Sequence, residues 1–328
     1  MKKSAIVEKI IGNLSQYSPS QNPATAYAPT NIALVKYWGK RNQELNLPVT
    51  SSLSISLADK GAETTLSISS IKQDVFILNG KLVPATSSFH RRLSLYLDLF
   101  RPNNLFLDVN IVSTVPIAAG LASSACGFAA MALALDKFFS WQLSSQQLSI
   151  LARLGSGSAS RSLWSGFVEW HAGVREDGMD SYAEPLHEKW PELGVGLMMV
   201  SESEKSISSR EAMQLTIETS ELYKSWPQKV EHDLKTLKQA IQEKNFDLLG
   251  KTAESNALAM HATMLSAWPP VSYCFPETIA AMRRVWQARA DGLSVYFTQD
   301  AGPNLKLLFI DQDAIRQYFP EIEEIRPW

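Results

Sequence analysis

The sequence is poor in cysteine and has no excess of either charge. Of its 328 residues only Cys126 and Cys274 are cysteines, too few for a disulfide scaffold or a four-cysteine zinc site. Lysine and arginine total 31, aspartate and glutamate total 33, and the formal net charge is -2. No broad basic field is therefore expected for binding nucleic acid or a membrane surface, and a polyanionic ligand would need a local pocket. The composition favours a reducing cytoplasm.

Long apolar runs are also scarce. Near the N-terminus, Glu8, Lys9 and Asn13 interrupt the apolar residues before the core of an export signal can form. Residues 117–135 contain no charge, and this length approaches that of a membrane span. Their first half, however, is mostly Gly, Ala and Ser, which gain little on transfer into lipid. We expect no export signal and no membrane span, and interpret the segment as a loop that leads into a buried helix.

The patterning predicts an α+β protein of two lobes, because a single core stops growing efficiently near this length. Alternating apolar residues in ETTLSIS and LFLDVNIV predict strands, and Asn79-Gly80 predicts an antiparallel hairpin. The polar segment between Val174 and Pro191 predicts the boundary, which separates residues 1–185 from residues 186–328. Helical spacing predicts helices over about 86–100, 124–139, 144–154 with Gly155 as C-cap, 208–219, 226–243, 246–266 and 276–289.

Small residues dominate the segment PIAAGLASSACG, residues 116–127, which lies between a predicted strand and an alanine-rich helix. Such residues let backbone N–H groups approach a ligand closely, and a helix N-terminus favours negative charge. Ser123 and Ser124 add hydroxyl groups. The segment predicts an anion-binding loop; taken alone, it is also typical of a helix packed tightly on a sheet.

A second group of hydroxyls, GSGSASR, spans residues 155–161 and ends in Arg161. A guanidinium offers two parallel donors to a carboxylate or phosphate, whereas capping serines and a surface arginine are the simpler interpretation. The segment KYWGKR, residues 36–41, places three cations around two aromatic residues, which indicates either a solvated basic loop or counter-charge for a polyphosphate. Ser209 and Arg210 repeat the hydroxyl-plus-arginine pattern at a helix start.

Asp300 ends an apolar strand beside a Gly-Pro turn, so it is placed either to act as a base or to cap the turn. His261 lies in a helical pattern and is more typical of a buried structural histidine than of a catalyst, although contact with substrate is an alternative. The five histidines show no metal-ligand spacing. The string NFDLLGKT, residues 245–252, lacks the first glycine of a nucleotide-binding loop and lies inside a helical pattern.

Together these segments resemble the GHMP kinase superfamily, whose phosphate motif Pro-x-x-x-Gly-Leu-x-Ser-Ser-Ala matches residues 116–125. Within that superfamily, APTNIALVKYWGKR, LPVTSSLSISL, GSGSASRSLWSGFVEW, SSREAM, SNALAMHATML and DAGPN resemble the mevalonate diphosphate decarboxylases, from about Ala28 to Asn304. The resemblance implies a two-lobed GHMP kinase-like fold of mixed and antiparallel sheets packed by helices, with the active site in the cleft. It also implies a homodimer and ATP-dependent decarboxylation of mevalonate 5-diphosphate to isopentenyl diphosphate.

The resemblance further implies roles for individual residues. Asp300 would lie beside the 3-hydroxyl of the substrate as a base or an orienting group, and Arg161, held by Asn31, would pair with the substrate carboxylate. Lys36 would lie near the reacting phosphate. The matching substrate-binding positions are Tyr37, Lys40, Ser156, Ser158, Ser209 and Arg210, and those around the ATP phosphates are Gly120, Leu121, Ala122, Ser123 and Ser124.

Magnesium would arrive with ATP rather than occupy a dedicated protein site. Two other functions remain open from the sequence. One is a related enzyme that acts on mevalonate or its monophosphate, as a 3-kinase or a phosphomevalonate decarboxylase. The other is a nucleotide-binding protein without catalytic activity.

Overall fold

The computed structural model describes residues 1–102, 104–115, 123–201 and 205–328. Its helices are α1 (Lys3–Ile11), α2 (Ser88–Leu97), α3 (Ser123–Phe139), α4 (Ser145–Gly155), α5 (Ser209–Thr219), α6 (Trp226–Gln242), α7 (Phe246–Leu265), α8 (Pro276–Ala290) and α9 (Gln312–Tyr318). Its strands are β1 (Ala24–Val35), β2 (Lys40–Asn42), β3 (Leu47–Pro48), β4 (Ser52–Ile68), β5 (Val75–Leu78), β6 (Lys81–Leu82), β7 (Leu107–Ser113), β8 (Phe167–Trp170), β9 (Ala183–Pro185), β10 (Gly194–Met198), β11 (Val295–Gln299), β12 (Leu305–Phe309) and β13 (Glu323–Ile325).

Two main sheets organise most of these elements, and β2 and β3 pair with each other in a separate two-stranded sheet. The larger has the order β6–β5–β7–β4–β8–β9, and β1 also pairs with β4. Its strands pair antiparallel except for β5 and β7, which are parallel. The smaller sheet has the order β11–β12–β10–β13, all antiparallel. The predicted α+β class is confirmed.

The second half of β1 forms the centre of the molecule. Its residues from Asn31 to Val35 are all buried, and α3 packs across β1 and β4. The pairing of β1 with β4 shifts register between Pro29 and Asn31, where proline has no N–H to contribute to the ladder. The shift occurs at the position from which Asn31 enters the site described below.

The predicted helix ends agree with the structure to within three residues. Asn79 and Gly80 form the predicted hairpin turn with φ of 48° and 75°, as a turn between twisted strands requires. The prediction that Gly155 caps α4 is wrong, because the helix includes Gly155 and its C-cap is Ser156. A Cβ on Gly155 would lie 2.3 Å from Cδ1 of Phe128 on α3, so the glycine serves helix packing rather than capping.

The uncharged segment 117–135 enters α3 at Ser123, and residues 116–122 lie outside the described ranges. Helix α3 is lined with buried alanine and other apolar side chains, as a helix that packs closely on a sheet requires. In the described part of the chain, no helix combines the length and apolarity needed to cross a bilayer.

Candidate active site

A cavity of about 800 Å³ lies where the end of β1, the 3₁₀ turn Gly157–Arg161, the start of α5 and the loop after β11 converge. A cavity of this size accommodates a small-molecule ligand. Three of the predicted ATP-binding residues, Gly120, Leu121 and Ala122, lie outside the described residues. Of Ser123, only the backbone is described. The other predicted site residues all line this cavity: Asn31, Lys36, Tyr37, Lys40, Ser124, Ser156, Ser158, Arg161, Ser209, Arg210 and Asp300.

Asp300 is held by two lysines. Lys36 Nζ lies 2.7 Å from Asp300 Oδ1, and Lys306 Nζ lies 3.3 Å from Oδ2. The side chains of Lys36 and Lys306 are 2% and 0% exposed, whereas that of Asp300 is 21% exposed. Burial alone would raise the pKa of Asp300, but the two ammonium groups outweigh it and hold this pKa well below its usual range. The site therefore presents a charged carboxylate to the cavity.

Lys36 is fixed at both its side chain and its backbone. Its Nζ also donates to the carbonyl oxygen of Ala33 at 2.6 Å, and its backbone N–H donates to Asn256 Oδ1 at 2.8 Å. Asn256 in turn donates to Asp233 at 2.7 Å. Burial lowers the pKa of Lys36 to about 8, although Asp300 opposes the shift. Lys36 is thus a rigidly placed ammonium that titrates not far above neutrality.

Arg161 is also buried and oriented. Its Nε donates to Asn31 Oδ1 at 3.2 Å, its Nη1 donates to the hydroxyl of Ser52, and its guanidinium lies 5.8 Å from the ring centroid of Trp170. Asn31 Nδ2 donates at 2.7 Å to the hydroxyl of Ser162. Burial lowers the pKa of Arg161 to about 10, which still leaves it charged at neutral pH. The structure thus brings Asn31 into the position of an orienting group for Arg161.

Another side of the cavity, here called the basic wall, is formed by Lys40, Arg92 and Arg210. Lys40 Nζ donates to Asn46 Oδ1 at 2.7 Å, but within the described ranges no member of the wall forms an ion pair with a carboxylate. Burial, followed by the charges of Arg210, Lys3 and Arg92, lowers the pKa of Lys40 to about 8. Neighbouring cations that repel one another favour a bound anion.

A chain of hydroxyl groups also lines the cavity. Ser124 Oγ lies 3.3 Å from Ser156 Oγ, which lies 3.4 Å from Ser158 Oγ. Ser124 is in the first turn of α3, where the helix dipole favours an anion. The hydroxyl of Tyr37 is buried and has no hydrogen-bond partner among the described residues, and burial raises its pKa so that it remains a neutral donor. An unsatisfied donor at this depth fits an oxygen-rich ligand.

The turn that carries Lys36 and Lys40 is anchored to the C-terminal half of the chain. The carbonyl oxygen of Trp38 accepts hydrogen bonds from the Tyr223 hydroxyl at 3.1 Å and from Trp226 Nε1 at 3.0 Å. Gly39 has φ of 115°, and a Cβ there would lie 1.8 Å from the Tyr223 hydroxyl. Only glycine fits this position.

His261, whose role the sequence left open, and Lys205 both lie close to the site. His261 is buried on α7 and its Nε2 donates to the backbone carbonyl of Asp300 at 3.2 Å. Burial lowers its pKa to about 4, so it is neutral. Lys205 Nζ donates to Ser209 Oγ at 3.2 Å. Among the described residues, no group of three or more His, Cys, Asp or Glu side chains is placed to hold a metal ion.

Sequence reasoning missed Arg92 and Lys306. Arg92 lies in the string HRRL of an amphipathic helix, and nothing in that pattern separates it from a solvated arginine. Lys306 carried a usable signal, because it is the one charged residue of the strand LKLLF. A charge inside a fully apolar strand indicates a buried cation that needs a partner.

Known proteins resemble this chain along most of its length. The family model described as "Diphosphomevalonate decarboxylase-like N-terminal domain" matches residues 28–183, and "Mevalonate 5-diphosphate decarboxylase C-terminal domain" matches residues 195–327. Diphosphomevalonate decarboxylase mvd1 of Aspergillus fumigatus is 40% identical over 315 residues, which cover 89% of this chain and 78% of that protein. The Saccharomyces cerevisiae diphosphomevalonate decarboxylase is 35% identical over 321 residues, which cover 90% of this chain and 80% of that protein.

Solved structures give the same relationship. The structure of MDDEF in complex with MVAPP, AMPPCP and magnesium superposes with a TM-score of 0.86 at 40% identity, and covers 93% of this chain and 96% of that one. Mevalonate diphosphate decarboxylase from Staphylococcus aureus superposes with a TM-score of 0.86 at 38% identity, and the match covers 93% of this chain and 95% of that one. With both halves of the chain matched by models of one family, this chain belongs to the diphosphomevalonate decarboxylase family.

Proposed function

We propose that this chain catalyses the ATP-dependent decarboxylation of mevalonate 5-diphosphate to isopentenyl diphosphate, with release of ADP, phosphate and carbon dioxide. The observation that carries the proposal is the meeting of three features in one cavity: the charged carboxylate of Asp300, the buried guanidinium of Arg161, and the basic wall. The relatives named diphosphomevalonate decarboxylase, and the related complex that contains MVAPP, AMPPCP and magnesium, support it.

The reaction explains why such a site needs a hydrogen-bond acceptor for the 3-hydroxyl, a clamp for the substrate carboxylate and abundant positive charge. A tertiary alcohol is a poor leaving group, so transfer of the terminal phosphoryl group of ATP to the 3-hydroxyl makes the C–O bond breakable. Heterolysis of that bond releases phosphate with its electron pair. The electron pair of the C–C bond to the carboxylate then forms the alkene as carbon dioxide leaves. The proton that the 3-hydroxyl loses on phosphoryl transfer is taken up by the departing phosphate, so that atoms and electrons balance.

The part of the cavity that carries Asp300, Lys36 and Arg161 is here called the acid side, and each of these residues has a part in this proposal. Asp300, charged at neutral pH, accepts a hydrogen bond from the 3-hydroxyl and aligns its oxygen for phosphoryl transfer. Arg161, oriented by Asn31, pairs with the substrate carboxylate through its planar fork. Lys36 places positive charge beside the phosphoryl group as it moves.

The remaining predicted residues bind the phosphate chains. The 5-diphosphate occupies the side of the basic wall, where Tyr37, Ser156, Ser158 and Ser209 donate hydrogen bonds alongside Lys40 and Arg210. The ATP phosphates lie at the start of α3, against Gly120, Leu121, Ala122, Ser123 and Ser124. Magnesium, held mainly by ATP phosphates and water, would neutralise part of their charge.

We propose further that residues 1–185 and 186–328 act as two lobes around this cavity, and that the protein is a cytoplasmic homodimer. The first sheet ends with Pro185 and the second begins with Gly194, which supports the division. Cys126 and Cys274 are both thiols, as a reducing compartment requires. The dimer rests on the family resemblance, and light scattering of the purified protein tests it.

The deciding experiment measures ADP and carbon dioxide together, with ATP, magnesium and, separately, mevalonate, its 5-phosphate and its 5-diphosphate. Equal release of both products from the diphosphate alone is expected. ADP without carbon dioxide would make the chain a 3-kinase, and equal release from the monophosphate would make it a phosphomevalonate decarboxylase. Binding of ATP by calorimetry without product from any of the three would leave a nucleotide-binding protein.

A further inference from the structure

Lys306 is a charged residue in the interior of the smaller sheet. It lies on β12 between β10 and β11, opposite Leu197 and Thr298, and its side chain is fully buried. Its strand neighbours Leu305 and Leu307 point to the other face, where they pack in an apolar cluster. A buried ammonium is costly unless it is paired, so the partners of Lys306 define its role.

Those partners are few and specific. Lys306 Nζ lies 3.3 Å from Asp300 Oδ2 and donates to the carbonyl oxygen of Asn304 at 3.3 Å. The other carboxylate oxygen, Oδ1, is held by Lys36, which directly follows β1. Each oxygen of Asp300 thus has its own ammonium, one from the segment after β1 and one from β12, and the plane of the carboxylate cannot rotate without breaking an ion pair. Lys306 is not among the residues that line the cavity, so it acts through its neighbours there, first of all Asp300.

We propose that Lys306 is a positioning residue of the decarboxylase reaction, whose ammonium holds Oδ2 of Asp300 so that the carboxylate meets the 3-hydroxyl in one fixed orientation. The inference rests on the proposed function and deepens it, because it assigns the geometry of Asp300 to a pair of lysines. A carboxylate held by Lys36 alone would keep its charge but turn about its bond to Cβ.

The charges that face Lys36 come from several elements: Asp300 from the loop after β11, Lys306 from β12, Arg161 from the 3₁₀ turn, and neutral His261 from α7. Of these, Lys306 and Arg161 lower the pKa of Lys36, while Asp300 raises it. Removal of Lys306 deletes one repelling cation and leaves Asp300 to Lys36 alone. Both changes raise the pKa of Lys36 above its value of about 8.

The test compares K306M and K306Q with L308M, a control on the same strand and face that disturbs packing without touching Asp300. We expect kcat of K306M to fall about 10- to 100-fold with a nearly unchanged KM for mevalonate 5-diphosphate, since positioning acts in the transition state. In the plot of kcat against pH, the alkaline limb of K306M should move to higher pH by roughly half to one pH unit, because the pKa of Lys36 is raised. K306Q keeps a hydrogen-bond donor, so its kcat should be closer to the wild-type value, but its alkaline limb should remain shifted as in K306M. L308M should match the wild-type chain in both kcat and pH profile.

A wild-type pH profile in K306M, or a raised KM with unchanged kcat, would overturn the proposal. Loss of folding in both K306M and K306Q while L308M folds would also overturn it, by making Lys306 structural. A second readout needs no turnover. In protein carrying ¹³C at lysine Cε, the Lys36 signal, assigned by its loss in K36R, should titrate near pH 8 in the wild-type chain and higher in K306M.

The two readouts separate this inference from the proposed function. If the wild-type chain releases no ADP and carbon dioxide from any substrate, the proposed function fails whatever the lysine signal does. If the wild-type chain is active and the Lys36 signal does not move in K306M, only the assignment of Lys306 fails.

Discussion

Two charged regions line the cavity, and they differ in how their charge is balanced. On the acid side, Lys36 and Lys306 hold Asp300 within the protein itself. On the basic wall, Lys40, Arg92 and Arg210 have no carboxylate partner among the described residues, and burial with mutual repulsion lowers the pKa of Lys40 and Arg92.

The difference separates two tasks. A group that must hold one orientation during a reaction is fixed by partners inside the protein, since its geometry cannot depend on the ligand. A group that must attract a polyanion is left without an internal counter-ion, since the ligand supplies it. Substitutions on the acid side should therefore change turnover, and those on the basic wall should change substrate affinity.

The largest expected effect is that of D300N. Loss of the charged acceptor at the 3-hydroxyl should reduce kcat by about 10²–10⁴-fold while ATP affinity stays nearly unchanged, because the interaction acts in the transition state. Steady-state kinetics with calorimetric ATP titration measures both. D247N, an exposed aspartate on α7, is the matched control. Normal turnover in D300N would show that the carboxylate of Asp300 has no part in the mechanism.

R161K is expected to come next, with a loss of about 10²-fold in kcat/KM, because a point charge cannot replace a bidentate fork held by Asn31. R284K, an exposed arginine paired with Glu321, should be neutral. The comparison is made with mevalonate 5-diphosphate as the varied substrate. Equal kinetic constants for R161K and the wild-type chain would exclude a carboxylate clamp at this position.

A smaller effect of a different kind is expected from R210Q. Loss of one cation from the basic wall should raise KM for the diphosphate substrate about 10-fold and leave kcat within about twofold, and the increase should shrink at high salt. K235Q, on the exposed face of α6, provides the control. A fall in kcat at constant KM would contradict the assignment of substrate affinity to the basic wall and of turnover to the acid side.

The smallest effect concerns pH. Lys40, with a pKa of about 8, is charged below that pH and loses its charge above it, so KM for the diphosphate should rise a few-fold as pH passes from about 7 to about 9. K40R stays charged throughout and should flatten this rise. Separate plots of kcat and KM against pH test it, because titration of Lys36 on the acid side should appear in kcat.

Much of the fold could be predicted because its helices and hairpin are locally encoded. The helix patterns of α5 to α8 matched within one residue, and Asn79-Gly80 gave its hairpin turn. The parallel pairing of β5 with β7 was not predictable, since it joins segments separated by a helix. Strand β1 was missed as an element because its buried apolar run lacks alternation.

The site was predicted where a residue type implies its chemistry. Arg161, Asp300 and the serines of GSGSASR carried such signals, and they meet in one cavity. The ion pair of Asp300 with Lys36 joins residues 264 positions apart, so only the assembled fold creates it. The balance of charge between the two sides followed from burial, which no local pattern of a single sequence records.

The anchoring of Trp38 by Tyr223 and Trp226 has a consequence for how the chain is divided. The turn over residues 36–41 belongs in sequence to the first family segment. The carbonyl of Trp38 and the backbone N–H of Lys36 are nevertheless held by residues of the second. Cutting the polypeptide between residues 185 and 194 would thus divide one hydrogen-bonded unit rather than separate two modules. We expect neither fragment alone to bind substrate, and the two mixed fragments to regain activity only as they reassociate.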